Sequence, residues 1–222
     1  MLVPMRRLLA VVCATVFADT MLFSTIVPLV PTLSDTYDLT TFRAGLLVAS
    51  YGAGAVIAGI PSGMFASRIG PKRTVVLGLV VLAVSTLAFS LGESAIALGT
   101  ARFAQGVASA ITWCGALAWV TLATPSDQRG KTVGTVFSVA VLGLIVGPAI
   151  GAVADLTSLR ATFVSIAGLT VVVILHVMVH PGVGPMRAHF GFEICFDAGT
   201  YIIVSGEHRE RNVFGVSEIG VG

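Results

Sequence analysis

Charge is scarce in this chain. Asp, Glu, Lys and Arg together make up 11% of its 222 residues, where soluble domains carry about a quarter. With 55% hydrophobic residues and a mean hydropathy of +0.96, a water-soluble globular domain does not fit. Cysteine is equally short. Cys13 and Cys114 lie inside apolar runs and Cys195 stands alone near the end. With no Cys-x-x-Cys and no Cys/His cluster, neither a disulfide framework nor a metal site is indicated, and free thiols are expected. A phosphate-cradling glycine loop and a catalytic triad motif are both missing, so ATP-driven chemistry and enzymatic chemistry are poor fits. No catalytic residue, metal ligand or cofactor is assigned. The net charge of +2 is small, and the basic residues fall between apolar runs. That pattern speaks for orientation in a lipid bilayer and against nucleic-acid binding.

What the chain has instead is a series of apolar stretches of about 20 residues, each long enough to cross a bilayer. They predict an all-α membrane protein with six transmembrane helices over roughly 8–31, 41–63, 73–92, 95–121, 130–153 and 160–180. The basic start at Arg6 and Arg7, an apolar run and small residues near Ala18 also permit a signal peptide. The apolar pattern resumes after Asp19, which favours a first transmembrane helix. Residues 32–42 read as a loop. Residues 1–180 form one bundle. Residues 181–222 are an irregular tail, unassigned, broken by Pro181-Gly182 and Gly184-Pro185 and too charged for a seventh span.

Inside the spans, polar residues are few and therefore informative. Asp19 lies within the first apolar run. A carboxylate there costs a few kcal/mol, and normally faces the bundle interior with a function. The reading is a proton or cation site; the alternative is a structural carboxylate paired with a neighbouring helix. Arg102 lies about two turns inside the fourth span and keeps its charge. Pairing with Asp19 is the preferred arrangement, and snorkelling to the surface is the alternative. Trp113 lines a cavity or joins an interfacial belt, whereas Trp119 is placed in the belt. Small residues recur at a spacing of four, as Gly45, Ala49, Ala53 and as Ala55, Gly59, Gly63, which predicts close helix packing. Pro61 is expected to bend the second helix. Gly143, Gly147 and Gly151 give the fifth helix a smooth face, and Pro148 a bend. His176 and His180 share one face of the sixth helix and read as interface positions.

Short segments between spans carry the basic residues. One side would hold Arg6, Arg7, Arg68, Lys72, Arg73, Arg129 and Lys131; the other would hold Arg43 and Arg160. The excess predicts a cytoplasmic N-terminus and a cytoplasmic tail. Asp127 is offered a partner in the cluster around Arg68, with solvated loop charges as the alternative.

Several of these stretches together resemble the major facilitator superfamily. The segment Gly63-Met-Phe-Ala-Ser-Arg-Ile-Gly-Pro-Lys-Arg73 is similar to the family's Gly-x-x-x-Asp-Arg-x-Gly-Arg/Lys-Arg/Lys loop, matching at Gly63, Arg68, Gly70, Lys72 and Arg73. Ser67 stands where the family usually has Asp, and Pro71 where a basic residue is frequent. Asp19-Thr20 followed by Val27-Pro28 and Pro31 resembles the first helix of drug/proton antiporters and vesicular amine transporters. Arg102-Phe-Ala-Gln105-Gly106 is similar to the family's fourth-helix Arg-x-x-Gln-Gly, usually assigned to proton transfer. Gly143-x-x-x-Gly147-Pro148-x-x-Gly151 resembles the antiporter motif, which commonly ends in a second glycine where this chain has Ala152.

The resemblance covers about four-fifths of the chain, corresponding to the N-terminal six-helix half of a twelve-helix fold. It implies an integral, multi-pass protein of the cell membrane that exports a small cationic or amphipathic compound in exchange for protons. Asp19, Arg102 and Gln105 would serve proton coupling or substrate. The Gly63–Arg73 loop, Ser67 included, would gate access, and the glycine-proline helix would form a seal. The partners implied are the lipid bilayer, a small-molecule substrate and protons, with a second six-helix half or a second copy completing the site. The alternative is a truncated or frameshifted half-transporter without autonomous transport.

Overall fold

A backbone inside hydrocarbon must satisfy its own N–H and C=O groups, and the α-helix does so within one segment. The structure, a computed structural model, describes residues 5–179. Its regular elements are helical: α1 (Met5–Thr25), a 3-10 turn at Val27–Leu29, α2 (Val30–Thr36), α3 (Thr41–Ile69), α4 (Pro71–Ser90), α5 (Ala95–Ala123), α6 (Arg129–Leu156) and α7 (Leu159–Val179). Among the described residues six stretches are long and apolar enough to cross a membrane, the first being Met5–Thr36 as a unit. The all-α, six-span class expected from the apolar runs is what forms. The tail and His180 lie outside the described residues.

Local chemistry explains the helix ends. The Thr40 hydroxyl accepts from the Arg43 amide to start α3, Ser94 accepts from Ala97 to start α5, and Ser158 accepts from Ala161 at the start of α7. Each satisfies one of the amides a helix N-terminus leaves open. In the first span the α-helix stops at Thr25 because Pro28 and Pro31 have no N–H to return to Ser24 and Val27. The chain tightens into the 3-10 turn and resumes as α2. This corrects the expected loop over 32–42: the helix continues to Thr36, and only residues 37–40 connect it to α3.

The expected basic loop between the second and third spans is likewise not a loop. Residues up to Ile69 finish α3, Pro71 opens α4, and Gly70 alone joins them at φ 87°. The second helix thus runs six residues past its expected end at Gly63, through Pro61. Pro71 suits the first position of a helix, where no N–H is needed.

Helix α5 is the hub. It packs extensively along α3 and α4 and also reaches α1. Gly54 and Gly106 meet at the crossing of α3 and α5, where a Cβ on Gly54 would stand 3.1 Å from Phe103 C and one on Gly106 2.8 Å from Tyr51 C. The predicted small-residue lines are corrected here. Gly45, Ala49 and Ala53 point outward and Ala55 and Gly59 are half-buried, whereas Gly63 of the second line joins the packed face with Leu47, Tyr51, Gly54, Ala58, Ser62 and Ala66. Helix α7 docks on α4, with Phe163 4.8 Å from Phe89. Trp119 is 1% exposed and belongs to the core, not to an interfacial belt. Cys13 is a free thiol.

The six spans alternate in direction, and contacts at both ends show which connections share a face. At one end Lys72 Nζ donates to Met178 O at 2.8 Å, and Thr124 lies beside Met5. At the other, Arg160 approaches Glu93 at 3.9 Å, the Tyr37 hydroxyl donates to Gly92 O, and Thr32 donates to Asp155. The seven basic residues grouped from the sequence fall on the first face, Arg43 and Arg160 on the second.

Gly70 generates a direct test. Gly70, at φ 87° and ψ 153°, occupies extended positive-φ backbone that is essentially reserved for glycine, and an L-residue held there costs about 1–3 kcal/mol. Gly70→Ala is expected to lower the thermal unfolding midpoint in detergent by several degrees, while Gly45→Ala, where nothing lies within 4 Å, leaves it unchanged or raised.

Candidate functional site

Asp19 sits in mid-α1 and is 1% exposed. Burying a carboxylate is costly unless hydrogen bonds replace water, and α5 supplies them. Ser109 Oγ donates to Asp19 Oδ2 at 2.7 Å and Trp113 Nε1 donates to the same oxygen at 2.9 Å. The two donors are four residues apart, hence on one face of α5. The other oxygen, Oδ1, is buried without a hydrogen-bond partner. Tyr51 of α3 flanks the site, its ring 4.8 Å from that of Phe23 on α1.

Arg102 is 0% exposed, so it does not snorkel. Nor does it pair with Asp19, and that expectation is corrected. Its Nη1 donates to Gln105 Oε1 at 2.9 Å, Nη2 donates to Phe23 O at 3.4 Å, and the guanidinium lies 4.8 Å from the centre of the Tyr51 ring. Gln105 in turn donates from Nε2 to Thr86 Oγ1 of α4 at 3.3 Å. The cation is held by an amide, a carbonyl and a π-face because its own helix places Gln105 one turn away, closer than the carboxylate of α1. Arg102, Gln105, Ser109 and Trp113 form a stripe at spacings of three and four down α5. That stripe carries a fixed positive charge at one end and the Asp19 carboxylate toward the other.

Sequence reasoning found Asp19, Arg102 and Gln105 but missed Ser109, Tyr51 and Thr86, and left Trp113 between two roles. The helical spacing from Arg102 was available and would have shown Ser109 and Trp113 on the same face. Tyr51 and Thr86 come from other helices, and nothing in their neighbourhood marks them.

The Gly143–Gly151 segment does what its spacing predicts. Gly143 meets Thr20 and Phe17, Gly147 meets Ser24 and Met21, and Gly151 meets Thr25 and Pro28. A Cβ would stand 2.8 Å from Phe17 O at Gly143 and 2.5 Å from Met21 O at Gly147. The small hydroxyl residues of α1 face this stripe, and Ser24 Oγ lies 3.4 Å from Gly143 O. Pro148 is half-buried within the unbroken α6. The proposed gate residues lie apart from the Asp19 site. Ser67 bonds back to Met64 O, Arg68 and Arg73 are exposed, and Gly63 and Gly70 are buried. Lys72 reaches the C-terminal carbonyls of α7, a favourable place for a cation. Asp127 forms no ion pair with Arg68, which leaves the solvated reading for that residue.

Membrane-length helices, a buried carboxylate and cation in mid-span, and a glycine-lined helix joint describe a polytopic transport fold. The family profile described as Major Facilitator Superfamily matches residues 12–189, and the chain belongs to that superfamily. The chain is 28% identical over 151 residues to the MFS-type transporter ppzB of Metarhizium rileyi (strain RCEF 4871), covering 66% of this chain and 31% of that protein. It is 26% identical over 146 residues to Multidrug resistance protein 2 of Bacillus subtilis (strain 168), covering 66% and 36%. It is 28% identical over 126 residues to Quinolone resistance protein NorA of Staphylococcus aureus (strain MRSA252), covering 57% and 32%. The matched stretch thus spans about a third of each curated relative.

The fold is similar to that of the proton:xylose symporter XylE bound to 6-bromo-6-deoxy-D-glucose, with a TM-score of 0.72, 16% identity, and 98% of this chain covered against 56% of that one. It is similar as well to the human organic anion transporter MFSD10 (TETRAN), with a TM-score of 0.68, 18% identity, and coverage of 79% and 47%. Family and fold are those of transporters integral to membranes.

The α1–α6 joint yields a second test. Overpacking a tight contact costs about 1–3 kcal/mol. Gly147→Leu is expected to lose most folded protein on size exclusion in detergent, whereas Gly134→Ala, which has nothing within 4 Å, behaves as wild type.

Proposed function

We propose that this chain takes part in proton-coupled antiport, exporting a small cationic or amphipathic compound across the plasma membrane with its N-terminus in the cytoplasm. The observation that carries the reading is Asp19. It is a carboxylate shut away from water in mid-membrane, with one oxygen held by two donors and the other unsatisfied. A proton or a cation satisfies that second oxygen, and the two compete for it. Competition for one carboxylate is the minimal requirement for exchanging a cation against a proton.

Three further observations support the reading. The buried Arg102 supplies a fixed charge in the same network, separated from Asp19 and so able to influence it without neutralising it. The close α1–α6 joint couples the helix that bears Asp19 to α6 through backbone-close contact at Gly143, Gly147 and Gly151. Two of the relatives named above are drug-resistance proteins, which fits a cationic or amphipathic cargo. The basic excess on the Lys72 face supports that orientation, since such segments are retained on the cytoplasmic side. The proposed partners are the bilayer, the substrate, protons and a second six-helix unit, because alternating access rocks two bundles about a shared site.

The test uses the full chain in proteoliposomes with an imposed pH gradient and ethidium as probe cation. Wild type is expected to show ethidium flux coupled to proton movement, and Asp19→Asn is expected to lower that flux at least about tenfold while folding normally. Equal flux in the two proteins, or none in wild type, sinks the proposal. A cysteine at the N-terminus, labelled only from the outside of intact cells, would overturn the orientation.

A further inference from the structure

Asp19 is enclosed, yet its enclosure is uneven. Ser109, Tyr51 and Arg102 around it are all buried. Trp113 is half-buried, and its indole does two things at once. The N–H holds Asp19 Oδ2 at 2.9 Å, and the ring packs at 5.4 Å against Phe137 of α6. Phe137 is 42% exposed. An aromatic pair therefore stands between open surface and the carboxylate.

A second aromatic pair flanks the site, Phe23 with Tyr51 at 4.8 Å. The face of Tyr51 is already taken by an internal cation, Arg102 at 4.8 Å. Among the described residues no such contact covers Trp113 or Phe137. Of the two pairs, the Trp113–Phe137 pair is the one whose faces carry no internal cation, and Phe137 brings it to the surface. Trp is also the strongest of the aromatic rings in attracting cations, and aromatic cages are how quaternary ammonium groups are recognised.

We infer that Trp113, with Phe137, forms the receiving face for a lipophilic organic cation, and that Trp113 is also the positioning residue of Asp19. This rests on the cation-exchange reading above. A cation on that face contacts the indole whose N–H anchors the carboxylate, so its arrival is felt by Asp19 without direct contact. The ring and the N–H have separable roles: the ring receives, the N–H positions. Phe137 extends the same face onto α6, the helix locked to α1 through Gly143 and Gly147. The receiving face thus touches the carboxylate on one side and the α1–α6 joint on the other.

The experiment measures binding, not transport, so that it stands apart from the antiport test. Tetraphenylphosphonium binding to the full chain in detergent is followed by equilibrium dialysis. Trp113→Leu removes both the aromatic ring and the N–H, whereas Trp113→Phe removes the N–H but keeps a smaller aromatic ring in place. Trp113→Leu is expected to weaken binding about tenfold, within the range of desolvated cation–π contacts, and Trp113→Phe to stay within about threefold of wild type. If Trp113→Leu binds as wild type, or the two substitutions weaken binding equally, the receiving face is overturned.

Fluorescence gives an independent reading should the Trp113→Leu variant fail to fold. In a Trp119→Phe background Trp113 is the sole tryptophan of the chain. Its emission is expected to change saturably with tetraphenylphosphonium, and to differ from that of the same protein carrying Asp19→Asn before any cation is added. No change with the cation refutes the receiving role. Identical starting emission with and without the Asp19→Asn substitution refutes the positioning role. Intact binding with no proton-coupled ethidium flux would overturn the antiport reading and leave this site standing.

Discussion

A carboxylate held out of water in mid-membrane constrains everything near it. Asp19 is tolerable there because α5 brings Ser109 and Trp113 to one of its oxygens, replacing the hydration it gave up. Those donors sit four residues apart, so one face of α5 must turn toward α1. Arg102 and Gln105 continue that face by helical spacing and are buried with it. The same stripe meets α3 at Tyr51 and α4 at Thr86, and the rest of α5 packs along those two helices, so the helix becomes central. Its polarity and its position in the bundle have the same cause.

Helices in lipid gain little from hydrophobic association, since the tails are as apolar as their side chains, so close van der Waals contact and hydrogen bonds hold them. Among the described residues glycine provides that contact between α4 and α5, at Gly78 and Gly115, and at two further joints. Gly54 and Gly106 bring α3 against α5, and Gly143, Gly147 and Gly151 bring α6 against α1. The first span is thus joined to the fifth as the second is joined to the fourth. That exchange is the one expected of two three-helix units related by inversion. The joint at α1 is also where proline breaks the helix after Thr25, so the α-helical part bearing Asp19 ends at the contact with Gly151.

The faces at the two ends of the bundle differ in charge and in the way they are tied. One gathers most of the basic residues, with Lys72 set at the end of α7. The other is fastened by Thr32–Asp155, Tyr37–Gly92 and Arg160–Glu93. The turn at Gly70 belongs to the first face and is as short as a helix–helix connection can be. A segment read as a basic loop is in fact a one-residue corner, with its basic residues on helix ends.

Apolar run length set the number of spans and the all-α class, because a bilayer admits few other solutions for a backbone. Spacing within a run exposed Asp19, Arg102, Gln105 and the Gly143–Gly151 face, since a polar or small residue is conspicuous against Val and Leu. Connections were less legible. Helical conformation continues through Pro61 and resumes after Pro28, so neither proline marks where a span ends. Partner choice was not legible at all. Opposite charges suggested Arg102 with Asp19, but Arg102 found Gln105, Phe23 O and the Tyr51 ring, and Asp19 found Ser109 and Trp113. A sequence determines which groups need partners inside a membrane; which groups stand within hydrogen-bond reach depends on how the helices rotate and cross, and that only the packed structure decided.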